Sequence, residues 1–219
     1  MIEQPDLAPG ETLLSTVRHG LTVLNRDKRV GGRIDVPLIE EGRAQAEEAR
    51  VAFTGTGFDV VISSPLVRAI ETAQIVTGLP RDSIEIDELC TERSFGAMEG
   101  IDPAEVPSRY PEVRYLRIGE IGYSLNPPGG EPFPDLHLRA RRFLEGAVDR
   151  HGGRRVVVFS HQNFLQQFHG VILGLDPFQA LERDILNCEL NQFHLAPDGG
   201  LMANRTFQLV ATAARYPSF

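Results

Sequence analysis

Short apolar runs alternate with longer amphipathic segments along most of the chain. Runs rich in β-branched residues at 12–17 (TLLSTV), 59–64 (DVVISS) and 154–161 (RRVVVFSH) predict buried strands. An alternating run at 83–89 (SIEIDEL) predicts a shorter strand. Residues 188–209 are expected to form two strands joined by an Asp-Gly-Gly turn, so this part of the chain is predicted to be a hairpin.

Helical patterns fill the segments between these strands. The predicted helices cover 37–53, 64–78, 135–153 and 162–174. In the second of them, the order of residues favours Ser64 as the N-cap, Pro65 at the first helical position and Gly78 at the end. The third is expected to end at a glycine.

The alternation of strands and helices predicts an α/β fold in one domain over 1–219. We expect a three-layer sandwich, a mostly parallel sheet with helices on both faces, with the C-terminal hairpin adding an antiparallel element. Residues 1–11 are expected to be a loose N-terminal tail. Residues 97–134 are rich in Gly and Pro, which predicts an irregular excursion on the substrate side with one short helix near 103–110.

Composition limits the classes of partner. A net charge of −8 argues against nucleic acid and anionic membranes, but a small anionic ligand stays open because local arginines can outweigh a distant field. No apolar stretch approaches the ~18 residues of a membrane span, and the N-terminus lacks the pattern of a secretion signal. Cys90 and Cys188 lie far apart, so we expect a reduced, cytoplasmic protein with both thiols filling the core.

Cations and imidazoles follow three of the predicted strands. Arg18-His19-Gly20 comes after the first strand, Arg68 lies in the first turn of the helix after the second, and His161 follows the third. Each has an ordinary explanation alone: an exposed arginine, a histidine bonded to a backbone carbonyl, or a residue that caps the next helix. Ligands of open α/β sheets bind beyond the carboxyl ends of the strands. The convergence therefore favours an anion site.

Two guanidiniums and two imidazoles suit a tetrahedral dianion. Guanidinium forks match phosphate oxygens, and an imidazole can attack phosphorus and carry the phosphoryl group covalently. A carboxylic acid is then the simplest proton donor for the leaving oxygen. A metal site is disfavoured, because the sequence has no HExxH, no Asp/Glu cluster follows these strands and guanidiniums repel a cation.

Longer motifs surround these residues: RHGLTVLN (18–25), GGRIDVPLIEEGRAQA (31–46), SSPLVRAIETAQI (63–75), ELCTERSFGAMEG (88–100), PPGGEPFPDLHLRARRFL (127–144) and VVVFSHQNF (156–164). They resemble the RHG(E/Q)(T/S)xxN, GWxDxPLxxxGxxQA, SSxLxRAxxTA, LxExxxGxxEG, PGGES…R…FL and VVSHGxx signatures of the histidine phosphatase superfamily, the phosphoglycerate-mutase-like proteins. The resemblance runs in order from about Leu13 to Asn191 and implies the phosphoglycerate-mutase-like fold.

The resemblance also implies a catalytic set. His19 would be the nucleophile that becomes phosphohistidine, and Arg18, Arg68 and His161 would complete the phosphate pocket. Glu92 would be the general acid toward the leaving oxygen and then the base for water.

A second group is expected to bind substrate, namely Thr22, Asn25 (through its side-chain amide) and Gln162. No metal and no cofactor is expected. Three residues depart from the family pattern: Leu21 replaces the usual Glu or Gln, Gln162 replaces a glycine, and Pro132 stands where serine is usual. Leu21 and Gln162 bear on rate and substrate preference.

The favoured function is a phosphomonoester hydrolase that acts on a small phosphorylated metabolite. The family's mutases carry a longer basic insertion after the general acid, whereas residues 100–131 contain no lysine. Two alternatives stay open: a cofactor-dependent phosphoglycerate-mutase-type phosphotransferase and a non-catalytic phospho-ligand-binding regulator. Arg109, Arg114 and Arg117 either line the substrate mouth or form a solvated helix face, and a homodimer is one option for the oligomeric state.

Overall fold

Six strands form the central sheet of the computed structural model, which describes residue 2 and residues 4–211. The strands are β1 Thr12–Arg18, β2 Val60–Ser63, β3 Glu85–Ile86, β4 Tyr115–Ile118, β5 Ile121–Ser124, β6 Arg155–Ser160, β7 Leu190–Leu195 and β8 Leu201–Phe207. The sheet order is β3-β2-β6-β1-β7-β8, while β4 and β5 pair separately. The first four strands of that order pair in parallel, whereas β7 pairs antiparallel with both β1 and β8, which confirms the mostly parallel sheet.

The three predicted apolar strands lie side by side at the centre, with β6 between β2 and β1. Arg18 at the end of β1 is opposite Ser160 of β6, and Ser63 of β2 is opposite Phe159. The carboxyl ends of these strands are therefore level. The residues that follow each strand emerge at one edge of the sheet, as the sequence predicts.

Helices cover both faces of the sheet, which confirms the three-layer architecture. They are α1 Val23–Arg26, α2 Glu40–Phe53, α3 Val67–Thr77, α4 Val106–Arg109, α5 Phe133–His151 and α6 Gln162–Leu173. Alanines of α2 and α3 lie in a buried cluster with Val61 and Val157 of the sheet. Phenylalanines of α5 and α6 lie in a second cluster with Val156 and Val158. Because strand side chains alternate between faces, β6 contributes to both clusters.

Three local predictions need correction. Ser64 is not the N-cap of its helix and Pro65 is not its first residue, because α3 begins at Val67 with Leu66 as the cap residue. The Ser64 hydroxyl bonds the ring of His161 instead. The run 83–89 forms only the two-residue strand β3, since the Asp87 carboxylate accepts a hydrogen bond from Leu89 N and caps a 3₁₀ turn.

The excursion at 97–134 is more regular than predicted. The expected helix near 103–110 is present as a 3₁₀ turn followed by α4, and the hairpin of β4 and β5 follows it. The tail at 1–11 has neither helix nor strand in its described part. It is nevertheless attached, because Pro5 O accepts a hydrogen bond from Arg155 and Ile2 packs against the cluster under α2 and α3.

Candidate active site

A narrow cleft opens at the carboxyl edge of the sheet and contains most of the predicted site residues. Its lining is made by His19, Thr22, Leu24, Asn25, Arg29, Gly31, Gly32, Arg68 and Glu92. His161 lies beside the cleft, with its ring centroid 5.1 Å from that of His19. Arg18 is close to both rings, because its charge contributes to lowering the pKa of each imidazole. The structure thus brings together residues from three strand ends and from the loop that carries Glu92.

The ring of His19 is fixed by its own turn. Its Nδ1 lies 2.7 Å from Gly20 O, so Nδ1–H donates to this carbonyl and Nε2 keeps its lone pair. The turn is held by three further bonds: His19 N donates to Ser160 O, Gly20 N to Thr72 Oγ1, and Asn187 Nδ2 to His19 O. Burial, together with the charges of Arg68 and Arg18, holds the pKa of His19 well below its usual 6.5. The imidazole is therefore neutral and nucleophilic at Nε2.

Arg18 and Arg68 are both buried beside this ring. Arg18 donates from Nη1 to Ile185 O at 2.7 Å. Arg68 donates from Nη1 to Ile34 O and from Nη2 to Gly32 O, both at 2.8 Å. Burial lowers the pKa of each guanidinium to about 10, so both remain charged at neutral pH. Two fixed cations in a buried position favour an anionic ligand.

His161 connects the ends of two strands. Its Nδ1 accepts from Arg68 Nε at 3.2 Å, which leaves the proton on Nε2, 2.7 Å from Ser64 Oγ. Burial and the charge of Arg68 lower the pKa of His161 well below 6.5. Both ring nitrogens thus bond protein groups, so Nε2 donates a hydrogen bond to a phosphate oxygen only when its bond to Ser64 opens.

Glu92 is held at the first turn of α6. Its Oε1 accepts from Arg93 N at 2.7 Å and Phe164 N at 3.1 Å, and Oε2 accepts from Asn163 N at 3.3 Å. The side chain is only 3% exposed, yet it lines the cleft with His19. These three donors hold both side-chain oxygens of Glu92 in place at the site.

Thr22 and Asn25 form a capping box on α1. The Asn25 Oδ1 accepts from Thr22 N and Thr22 Oγ1, and Thr22 Oγ1 accepts from Asn25 N. Because the amide oxygen of Asn25 already accepts these two hydrogen bonds, the amide nitrogen is the group of this side chain that can donate to a ligand in the cleft.

Gln162 is buried behind the cleft and is absent from its lining. Leu21 contributes backbone groups instead of a polar side chain, because its N donates to Gln45 Oε1 and its carbonyl accepts from Ile39 N. Pro132 occupies the N-cap of α5, far along the chain from the cleft residues. Of the three departures, none occupies the surface that faces a ligand in the cleft.

Four cleft residues were not among the predicted site residues: Leu24, Arg29, Gly31 and Gly32. The two glycines belong to the segment 31–46, which resembles a family signature, but the resemblance assigned them no role in the site. Gly32 has a φ of +52°, and its carbonyl receives the Arg68 guanidinium, which explains why the segment bends around that side chain.

Within the described residues there is no group of three or more His, Cys, Asp or Glu side chains placed to hold a metal ion. No described helix is both long and apolar enough to cross a membrane. Cys90 and Cys188 are buried free thiols, and burial raises the pKa of Cys188 to about 12.

Known proteins share both the sequence pattern and the fold. The family model of the histidine phosphatase superfamily (branch 1) matches residues 14–206. The chain is 31% identical over 194 residues to 2,3-bisphosphoglycerate-dependent phosphoglycerate mutase 2 of Gloeobacter violaceus, covering 85% of this chain and 87% of that protein.

Solved structures with the same fold include two phosphatases. The alpha-ribazole phosphatase of Shigella flexneri has a TM-score of 0.77 at 21% identity, covering 92% of this chain and 99% of that one. A mycobacterial glucosyl-3-phosphoglycerate phosphatase has a TM-score of 0.72 at 24% identity, covering 89% and 96%. At these identities the likeness establishes the phosphoglycerate-mutase-like fold.

Proposed function

The chain belongs to the histidine phosphatase superfamily, and from that premise we propose that it is a metal-independent phosphomonoester hydrolase acting on a small phosphorylated metabolite. The proposal depends chiefly on one observation. His19 donates from Nδ1 to Gly20 O, which leaves Nε2 as a nucleophile in a cleft shared with Arg68 and Glu92.

The first half-reaction forms a phosphohistidine. Nε2 of His19 attacks phosphorus, the bond between phosphorus and the ester oxygen breaks, and protonated Glu92 gives its proton to the departing oxygen. Arg68 uses three of its five N–H donors on protein groups, so two are left to bind phosphate oxygens. Positioned donors matter because the charge of the transferring group is spread over three equatorial oxygens.

The second half-reaction releases phosphate. Water attacks phosphorus, the bond between phosphorus and Nε2 breaks, and the proton from water returns to Glu92. The enzyme ends in its starting protonation state. Uncatalysed hydrolysis of phosphate monoesters is among the slowest known reactions, so the site must lower the barrier by about 20 kcal/mol.

A mutase-type phosphotransferase is the second candidate, supported by the name of the relative from Gloeobacter violaceus. Against it, residues 100–131 contain no lysine, whereas the family's mutases carry a longer basic insertion there. Arg109 is exposed and pairs with Glu105 in the 3₁₀ turn just before α4, as a solvated face predicts. A non-catalytic regulator is the weakest alternative, since His19 and Glu92 are both retained.

The test is hydrolysis of p-nitrophenyl phosphate in the presence of EDTA. We expect turnover by the wild type, none by His19→Ala, and wild-type enzyme that retains phosphate on histidine when the reaction is quenched at alkaline pH, where phosphohistidine is stable. Equal rates for wild type and His19→Ala would remove the mechanism. Rapid conversion of 3-phosphoglycerate with catalytic 2,3-bisphosphoglycerate would establish the mutase instead.

The remaining expectations stay proposals. Cytoplasmic location is supported by two buried thiols in a chain with no other cysteine. A small-molecule phosphoester as the only ligand is supported by the acidic net charge of −8, which does not suit nucleic acid or an anionic membrane. A homodimer stays a prediction.

A further inference from the structure

A second cavity of about 320 Å³ lies beside the cleft, in the segment that follows Glu92. Its apolar walls are formed by Val30, Met98, Pro103, Val106, Pro107 and Tyr115; we call this cavity the apolar pocket. Beneath it is a small hydrophobic cluster, separate from the two clusters that cover the sheet, which includes Val30, Met98 and Val106. Ligand pockets are typically of this size, with mostly apolar walls and a few polar groups.

The hairpin of β4 and β5 forms one side of the apolar pocket, and its two faces differ. Leu116, Ile118 and Ile121 pack against the cluster beneath α5 and α6. The alternate residues of both strands face the other way and line the pocket: Tyr115, Arg117, Gly122 and Ser124. One face of the hairpin therefore lines the pocket, and the other face packs against the hydrophobic core.

Ser124 gives this wall an unused polar group. Its side chain is 1% exposed, and its Oγ has no hydrogen-bond partner among the described residues. The neighbouring Tyr123 points to the opposite face, where its hydroxyl donates to Leu181 O. A buried hydroxyl without a partner costs free energy, which a ligand with a hydrogen-bonding group in the pocket recovers.

The apolar pocket adjoins the cleft at two places. Val30 lines the pocket, while its chain neighbours Arg29 and Gly31 line the cleft, so the two cavities are separated by consecutive residues about 4 Å apart. On the other side, the Arg93 guanidinium donates to Ser124 O, and Arg93 directly follows Glu92. The backbone of the pocket wall is therefore hydrogen-bonded to the residue that follows Glu92.

The charged side chains of the pocket carry opposite signs. Arg117 and Glu120 are both exposed residues of its lining. Together they add no net charge, so the pocket offers no field that selects a second anionic group on the substrate. Apolar surface and the Ser124 hydroxyl are what remain to discriminate between ligands.

We propose that the apolar pocket binds the alcohol part of the phosphoester, and that the preferred substrates are monoesters of alcohols with an apolar ring or branched chain and one hydrogen-bonding group. This inference rests on the proposed function. A phosphoglycerate, by contrast, places a carboxylate against mostly apolar walls, where Glu120 offsets the charge of Arg117, and this costs desolvation.

The first test compares two phosphoesters whose alcohols have nearly the same acidity, 2-phenylethyl phosphate and ethyl phosphate. Because burying a phenyl ring is worth at least a factor of ten, we expect kcat/KM to be at least tenfold higher for the phenylethyl ester. Equal values would overturn the pocket as a substrate site while leaving the hydrolase intact.

The variant Gly122→Leu fills the pocket. A Cβ at Gly122 meets only Tyr115 Cδ1 at 3.5 Å, an ordinary contact, so the substitution does not strain the hairpin. We expect it to lower the ratio of the two kcat/KM values at least fivefold. The control is Gly57→Leu, at an exposed glycine whose Cβ meets nothing within 4 Å, and the ratio should not change.

Binding of non-hydrolysable phosphonates separates the two proposals. We expect 3-phenylpropylphosphonate to bind wild-type protein at least tenfold more tightly than propylphosphonate, and Gly122→Leu to remove the difference. Selective binding without any turnover of esters would refute the hydrolase and keep the pocket. Equal affinities of the two phosphonates would refute the pocket, whatever the rate of hydrolysis.

Discussion

Arg139 and Glu131 form a two-point ion pair behind the loop that carries Glu92. Arg139 Nε lies 2.8 Å from Oε1 of Glu131, and Nη2 lies 2.7 Å from Oε2. The same guanidinium donates to the carbonyls of Leu89, Thr91 and Glu92. Three carbonyls of the loop are thereby tied to one side chain of α5, which fixes the direction in which the Glu92 side chain leaves the backbone.

Arg139→Met should therefore affect both stability and proton transfer. Breaking a largely buried ion pair costs about 3 kcal/mol in the free energy of unfolding. If the loop also relaxes, Glu92 protonates a poor leaving group less well, and kcat/KM should fall at least tenfold more for phenyl phosphate than for p-nitrophenyl phosphate. Urea unfolding and the two assays measure the two effects.

Arg139→Lys and Arg142→Met serve as comparisons. A lysine keeps the charge but cannot form the fork, so it should restore stability only in part. Arg142 is exposed on the same helix, so Arg142→Met should change neither the free energy of unfolding nor the ratio of kcat/KM for the two esters. Equal slowing for the two esters in Arg139→Met would show that Arg139 is structural and does not position Glu92.

Gly42 and Leu21 make a backbone contact that leaves no room for a side chain. A Cβ at Gly42 would approach Leu21 N to 2.7 Å and Leu21 C to 2.8 Å, although Gly42 lies in α2, where alanine is otherwise preferred. Gly42→Ala should lower the free energy of unfolding by about 2 kcal/mol through overpacking. It should also lower kcat, because Leu21 lies two residues after His19.

The matched control is Gly57→Ala. Gly57 has open space around its missing Cβ, so alanine there should change stability by less than about 0.5 kcal/mol. An unchanged unfolding midpoint in Gly42→Ala would mean that α2 moves away from the His19 turn at no cost.

The strand ends could be predicted from sequence because the relevant signals are local. Each central strand is a run of apolar residues, and parallel strands place their carboxyl ends at one edge without further information. His19, Arg68 and His161 follow three such runs, so their proximity follows from topology alone. The sequence pattern did not predict the hairpin of β4 and β5, because each strand is only four residues long and β5 contains a glycine, which leaves too few positions to show a period.

The contacts within the site depend on pairs that sequence spacing does not reveal. The sequence predicts Ser64 as a helix N-cap, because serine followed by proline is typical of the start of a helix. Its hydroxyl instead bonds His161, which is 97 residues away in the chain. The same holds for Arg139, whose role requires the loop at 89–92 and α5 to be packed together. Such long-range partners are set by tertiary packing, and no local preference encodes them.

Arg68 binds His161 and two carbonyls with a planar fork, which a lysine cannot imitate. Arg68→Lys should lower kcat/KM for p-nitrophenyl phosphate by about 10²–10³, the usual effect of losing a positioned donor at a charged transition state. Arg50→Lys, at an exposed residue of α2, should be without effect. Full activity of Arg68→Lys would mean that the fork makes no contact with the transferring phosphoryl group.

Three histidines are buried in the neutral form: His19, His161 and His169. Burial is the largest cause in each case, and it lowers each pKa well below 6.5. The unfolded chain takes up these protons near pH 6.5, whereas the folded protein does not. Stability that is fully present above pH 6.5 is therefore lost as the pH falls toward the folded pKa values. Glu189 acts in the opposite direction, because burial raises its pKa.

Between pH 7.5 and 5.5, each of these histidines should lower the free energy of unfolding by about 1.4 kcal/mol. His169 allows a clean test, since it lies outside the cleft and bonds Thr16 Oγ1 at 2.8 Å. Measured by urea unfolding, the free energy of unfolding of His169→Gln should fall by about 1.4 kcal/mol less than that of the wild type between pH 7.5 and 5.5. We expect this smaller fall even though the variant is less stable than the wild type at pH 7.5. An identical loss in both proteins would show that His169 takes up its proton in the folded state, and that burial does not keep it neutral.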